Sequence, residues 1–134
     1  MKITITKADL LRGETINPGW YKAVIISFVA KPPKTGAGES MNYVPTFKLP
    51  DLDDRELPFT FNSKAIGRMG PMIAAVRDKP LTEIVAQMES GALDFDSDEA
   101  IGKQLYIHIV NEPYEGRLTN KIGSFLPITA TPPF

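Results

Sequence analysis

The sequence predicts one mainly β domain in which a helical insert separates three strands from two more. Apolar residues alternate before residue 63 and after residue 102, as in half-buried strands, and recur at helical spacing between those limits. The 134 residues are 43% hydrophobic, and no linker or internal repeat divides them. This length and composition are typical of a single domain, so we assign residues 1–134 to one core.

The N-terminal part is predicted to contribute an arm and the longest strand. Residues 1–16 form the arm or a short edge strand, because they contain only one short β-prone run. A turn signal at residues 17–19 precedes a strand over residues 20–30. Strict alternation along this strand places Trp20 and Phe28 on the same face.

Two further strands are predicted after a loop. Residues 31–40 contain two prolines and two glycines, a composition that disfavours a strand ladder. Residues 41–49 form the second strand. An acidic turn leads to the third strand, residues 56–62, in which Phe59 and Phe61 point inward.

Helices and a hairpin complete the predicted fold. Ser63 is expected to cap two short helices or one kinked helix, and a further helix covers residues 81–88. Strands over residues 103–111 and 118–126 form a hairpin before the tail, residues 127–134. This order of elements is typical of an OB-type barrel, which is five-stranded and partly open. An α+β sandwich with an open sheet is the main alternative.

The charges are unevenly distributed along the chain. The formal net charge is −1, but residues 51–56 and 94–99 hold eight of the sixteen acids. Outside these two windows, fourteen lysines and arginines face eight acids. A basic surface therefore fits the sequence despite its acidic isoelectric point.

The residues that carry catalysis are scarce. The chain has no cysteine, which excludes disulfides and thiolate metal sites, and its one histidine, His108, lies within a predicted strand. No nucleophile elbow and no phosphate-binding loop is present. We therefore expect no enzymatic activity and no cofactor.

The second acidic window has the spacing of the first ligands of a calcium loop. Glu99 occupies the position of the required glycine, and Leu105 that of the bidentate glutamate. Capping of a helical turn by Asp96 or Asp98 is the interpretation that we adopt. A metal-dependent nuclease built on both acidic windows is an alternative hypothesis.

Aromatic and basic residues near the second, fourth and fifth strands predict a surface for single-stranded nucleic acid. Such surfaces stack bases on aromatic rings and hold phosphates with cations, and OB-folds place them near the loops that follow strands one and four. The predicted contacts are Lys31, Lys34, Tyr43, Lys48, Tyr106, Tyr114, Arg117 and Lys121.

Four segments resemble small phage-encoded single-stranded DNA-binding proteins. They are residues 18–26 (PGWYKAVII), residues 33–38 (PKTGAG), residues 95–110, and residues 111–122 (NEPYEGRLTNKI). The resemblance implies an OB-like barrel that binds single-stranded DNA during phage DNA replication or recombination. No enzyme activity is implied.

The tail and the absence of targeting signals give the remaining expectations. Pro133 and Phe134 are similar to the tip of cellular single-stranded DNA-binding proteins, and they are candidates for binding replication or recombination proteins. No signal peptide is evident, and the longest apolar run, residues 23–30, is too short to span a bilayer. We expect a cytoplasmic protein without membrane contact, and homo-oligomers are compatible with the sequence. The alternative function is a protein-binding or virion-associated β-barrel.

Overall fold

A computed structural model describes residues 1–5, 15–33 and 40–133, with the backbone alone at residues 114 and 117. Short 3₁₀ turns cover Pro50–Leu52, Ser63–Met69 and Ser97–Glu99. The strands and helices are β1 (Gly19–Lys31), β2 (Asn42–Leu49), β3 (Arg55–Pro58), β4 (Phe61–Asn62), α1 (Gly70–Arg77), α2 (Leu81–Glu89), β5 (Gln104–Tyr114) and β6 (Arg117–Pro127).

The strands form one antiparallel sheet in the order β3-β2-β1-β5-β6, and β4 pairs with β2. A mainly β fold with helices inserted between the third and fourth predicted strands is therefore confirmed. The sheet is open, because β3 and β6 are its edges within the described chain. It has six strands rather than five because the predicted third strand is interrupted at Phe59 and Thr60. The flanking register places Pro45 of β2 opposite Phe59, and Pro45 has no N–H to donate.

A β-bulge in β1 corrects the predicted faces of this strand. Ile25 pairs with Phe47, but Ser27 pairs with Thr46, so Ile26 is an extra residue in the ladder. An inserted residue shifts the alternation by one position. Phe28 consequently shares the core-facing side with Ile25, and its predicted place on the face of Trp20 is wrong.

The helical insert begins with a different cap from the one predicted. The Oδ1 of Asn62 accepts a hydrogen bond from the N–H of Lys64 at 2.9 Å, whereas the Ser63 Oγ accepts one from the N–H of Met41 at 2.9 Å. α1 starts with Pro71 in its first turn, where a missing N–H costs little, and ends before Asp78 at φ 53°. Within the described residues, neither helix is long and apolar enough to cross a membrane.

The core lies between one face of the sheet and α1. Leu105, Ile107 and Ile109 of β5 are fully buried, and α1 contributes Met72 and Ile73. The core-facing side of the sheet is its inner face, and the opposite side is its outer face.

A cluster of phenylalanines connects strands from opposite ends of the strand order. The ring of Phe125 in β6 lies 6.0 Å from that of Phe47, 6.4 Å from that of Phe59 and 6.5 Å from that of Phe61, between centroids. β2, β4 and β6 therefore meet through side chains, although the backbones of β3 and β6 are not paired with each other within the described chain.

The N-terminal segment is held against the hairpin. The N–H of Ile16 donates to the Asn120 Oδ1, and the Asn120 Nδ2 donates to the Ile16 carbonyl oxygen, each at 2.9 Å. The same amide nitrogen donates to the Asn111 Oδ1 at 2.9 Å. Residues 1–5 form no strand, and residues 6–14 of the predicted arm or edge strand lie outside the described residues.

Candidate nucleic-acid interface

Strand alternation selects the residues of the outer face. Because Leu105, Ile107 and Ile109 point into the core, Tyr106, His108 and Val110 point outward. In the same way Ala23 and Ile25 are buried, and their neighbours in β1 face outward. The register shows which of these outward side chains are neighbours across the sheet.

Two aromatic side chains stack at the centre of the outer face. Trp20 of β1 lies opposite His108 of β5, with ring centroids 4.8 Å apart and planes inclined by 23°. The next outward pair is Lys22 opposite Tyr106. All four side chains are partly exposed, so an aromatic pair and a cation adjoin one another on this side of the sheet.

Two further lysines stand on the outer face. Lys48 lies between the fully buried Phe47 and Leu49, opposite Val24 on one side. Lys121 lies opposite Val110, and its Nζ is 3.8 Å from the Glu112 Oε2. The two charged side chains are 53% and 55% exposed, so this ion pair contributes little stability and leaves Lys121 accessible to solvent.

The structure gathers only part of the predicted contact set. Lys48, Tyr106 and Lys121 share the outer face. By the alternation after the bulge Lys31 also faces outward, but it is exposed at the far end of β1, seven residues beyond Val24. The positions of Tyr114 and Arg117 close the β5–β6 hairpin, and nothing is described of their side chains.

The two predicted binding loops follow opposite ends of the sheet. β5 pairs with the first half of β1, and β2 pairs with the second half. The β5–β6 hairpin therefore extends away from Lys31. Lys34 and Phe134 lie outside the described residues, and Pro133 is exposed.

Tyr43 lies on the inner side of the sheet, away from Tyr106. It packs against the core and lines an open apolar cleft of about 630 Å³ between the sheet and the helices. The other walls include Phe28, Ile73, Met88 and Phe95, so the cleft resembles a small-molecule or peptide pocket in size and composition.

Acidic residues adjoin this cleft. Asp94, Asp96 and Glu99 line a neighbouring depression that shares Phe95 and Ser97 with it. Such a rim repels phosphates, so the outer face is a better candidate than the cleft for the predicted nucleic-acid contacts.

One basic residue and one cap organise this acidic segment. The Arg77 Nε donates to the Glu99 Oε1 at 2.6 Å, and its guanidinium carbon lies 5.7 Å from the centroid of the Phe95 ring. The Asp96 Oδ1 accepts from the N–H of Asp98 at 2.9 Å, which confirms capping by Asp96 of a 3₁₀ turn. Across residues 1–5, 15–33 and 40–133, no three histidine or acidic side chains are close enough to hold a metal ion.

The sequence prediction missed Trp20 and Lys22 as contact residues. Their outward orientation follows from the alternation with Tyr21 and Ala23, and this signal was available in the sequence. What the sequence did not show is that His108 lies opposite Trp20, because that pairing depends on the register of β1 with β5.

No protein-family model matches this chain, and a search of curated proteins found no match.

Proposed function

We propose that this protein binds single-stranded DNA without sequence preference, and without enzymatic activity, through the outer face of its sheet. The resemblance to phage single-stranded DNA-binding proteins supports a role in phage DNA replication or recombination. The observation that carries the proposal is the stacked pair Trp20–His108 on the same face as Lys22, Lys48 and Lys121.

The chemistry of this face matches what a single strand presents. Unpaired bases expose flat rings, and stacking one base on an aromatic side chain is worth about 1–3 kcal/mol. Phosphates need cations at intervals, and three lysines stand around the aromatic pair. A duplex hides its base faces, so it gains only the phosphate contacts.

We assign the fold to the OB type as part of this proposal. β1, β2 and the interrupted strand β3–β4 form a meander, the helices follow, and β5 returns to pair with β1. The phenylalanine contacts between β2, β4 and β6 support a barrel that is only partly closed, as in OB-folds.

A titration with oligothymidine tests the function directly. Trp20 is the only tryptophan in the sequence, so its fluorescence should be quenched when a base stacks on it. We expect a twelve-nucleotide strand to bind more tightly than a duplex of equal length. Three lysine–phosphate contacts predict that the logarithm of the binding constant falls with the logarithm of the salt concentration with a slope of about −2. Each contact contributes roughly −0.7 to this salt slope on single strands. Absence of binding at low salt, or a slope near zero, would contradict the proposal.

A variant at the wall of the cleft tests which side of the sheet binds DNA. A Cβ added at Gly67, which lines the cleft, meets no atom within 4 Å, so Gly67→Leu adds an apolar side chain at this wall without a steric clash. We expect its dissociation constant for the twelve-nucleotide strand to stay within about twofold of wild type, because the outer face is untouched. A loss of affinity in the same fluorescence titration would place the DNA in the cleft.

The cleft is the observation that favours the alternative function, protein binding. Its volume and apolar walls suit the side chains of a peptide. If the oligothymidine titration shows no binding, this alternative is the one to pursue.

A further inference from the structure

The outer-face lysines lie on an oblique line across four neighbouring strands. Lys48 of β2 is level with Val24 of β1, and Lys22 is one outward position further along β1. Lys121 of β6 pairs with Val110 of β5. Val110 lies two outward-facing positions after Tyr106, the residue of β5 that pairs with Lys22. From each strand to the next toward β6, the line therefore shifts by one outward-facing residue, which is two residues along the strand.

His108 fills the remaining position on this line. It lies on β5, one outward step beyond Tyr106, which is level with Lys22. The line thus runs Lys48, Lys22, His108, Lys121, with one residue from each of four adjacent strands. We call it the oblique track.

Aromatic rings flank the oblique track on both sides. Trp20 is level with His108 on the neighbouring strand, and Tyr106 is level with Lys22. Bases of a strand whose phosphates follow the track would therefore meet a ring on either side, which is the arrangement that sequence-tolerant stacking requires.

Acids mark both ends of the oblique track. Glu56 of β3 lies opposite Lys48, and Glu112 of β5 contacts Lys121. Across the described outer face between these two glutamates, the paired positions of β1, β2, β5 and β6 carry no carboxylate. Phosphates are repelled beyond either end, so the favourable path is short.

The length of the oblique track sets the number of nucleotides. Three strand spacings of about 4.8 Å and three two-residue steps of about 6.8 Å give a diagonal of roughly 25 Å. An extended single strand rises roughly twice the ~3.4 Å per nucleotide of a duplex strand, so about four nucleotides fit.

On the premise of the proposed function, we propose that single-stranded DNA crosses the sheet obliquely along Lys48, Lys22, His108 and Lys121, and that about four nucleotides form the minimal ligand. The two glutamates at its ends limit the footprint. The ligand class is thus any short single strand with an intact phosphate backbone and stackable bases.

Oligothymidines of three, four, six, eight and twelve nucleotides test the footprint by fluorescence anisotropy with the full chain. The affinity should rise steeply up to about four or five nucleotides. For longer strands it should increase only with the number of positions at which the protein can bind along the strand. A continued steep rise from eight to twelve nucleotides would overturn the proposed path.

Charge variants test the direction of the path. Lys22→Gln, Lys48→Gln and Lys121→Gln should each weaken binding about fivefold at 0.1 M salt and reduce the salt slope by about 0.7. Glu56→Gln and Glu112→Gln should each strengthen binding. The matched control is Lys79→Gln, because Lys79 is exposed between α1 and α2 and should leave both affinity and slope unchanged.

The outcomes separate this inference from the function on which it rests. If wild type binds oligothymidine and the three lysine variants bind equally well, the oblique track is wrong and the function stands. If wild type itself does not bind, the function fails and the track with it. Unchanged circular dichroism and melting temperature of each variant show that lost affinity reflects lost contacts.

Discussion

Replacing Trp20 with alanine is expected to weaken binding of a twelve-nucleotide oligothymidine by about five- to 150-fold. This range corresponds to one base stack of about 1–3 kcal/mol. Trp20 is the larger ring of the stacked pair with His108, and it is partly exposed on the outer face. Since the variant lacks tryptophan fluorescence, its affinity is measured by anisotropy of a labelled strand.

The salt dependence of the affinity distinguishes the loss of a base stack at Trp20 from the loss of a lysine–phosphate contact. Trp20→Ala leaves Lys22, Lys48 and Lys121 in place, so the log–log salt slope should equal that of wild type. Trp20→Phe keeps a ring at the same position and serves as the matched control, with most of the affinity retained. An alanine variant that binds like wild type would show that no base stacks at Trp20.

The strands could be predicted from the sequence because each is encoded locally. Alternation marks β1, β2, β5 and β6, and inward placement of Phe59 and Phe61 is confirmed by their packing against the core. The one error in β1 begins at Ile26, where a bulge shifts the face of every later residue. A bulge depends on how β2 pairs with β1, and this is not visible in the sequence of one strand.

The candidate site was harder to predict than the fold because the register between neighbouring strands decides which side chains lie next to one another. The predicted loops at residues 31–40 and 113–117 both carry cations in the sequence, yet they begin at opposite ends of the sheet. Tyr43 and Tyr106 have the same chemistry and similar strand context, yet one lines the inner cleft and the other faces outward. Local sequence gives the residue types of an interface, whereas cross-strand pairing decides which of them meet.

Phe47→Ala is expected to lower the free energy of unfolding by about 3–5 kcal/mol, the usual range for a buried phenylalanine. Phe47 is fully buried in β2, directly before Lys48, and its ring lies 6.0 Å from that of Phe125 in β6. The truncation leaves a cavity where the two sides of the sheet meet. Total stability of a small domain is about 5–15 kcal/mol, so the melting temperature should fall by on the order of 10 °C or more.

Two companion variants decide whether the phenylalanine cluster accounts for that loss. Phe47→Leu conserves most of the volume and should cost less than about 1.5 kcal/mol. Phe95→Ala removes a ring of the same size from the partly exposed wall of the cleft, so it should cost clearly less than Phe47→Ala. A loss below about 1.5 kcal/mol for Phe47→Ala in urea unfolding would show that β2 and β6 are not held together by this cluster.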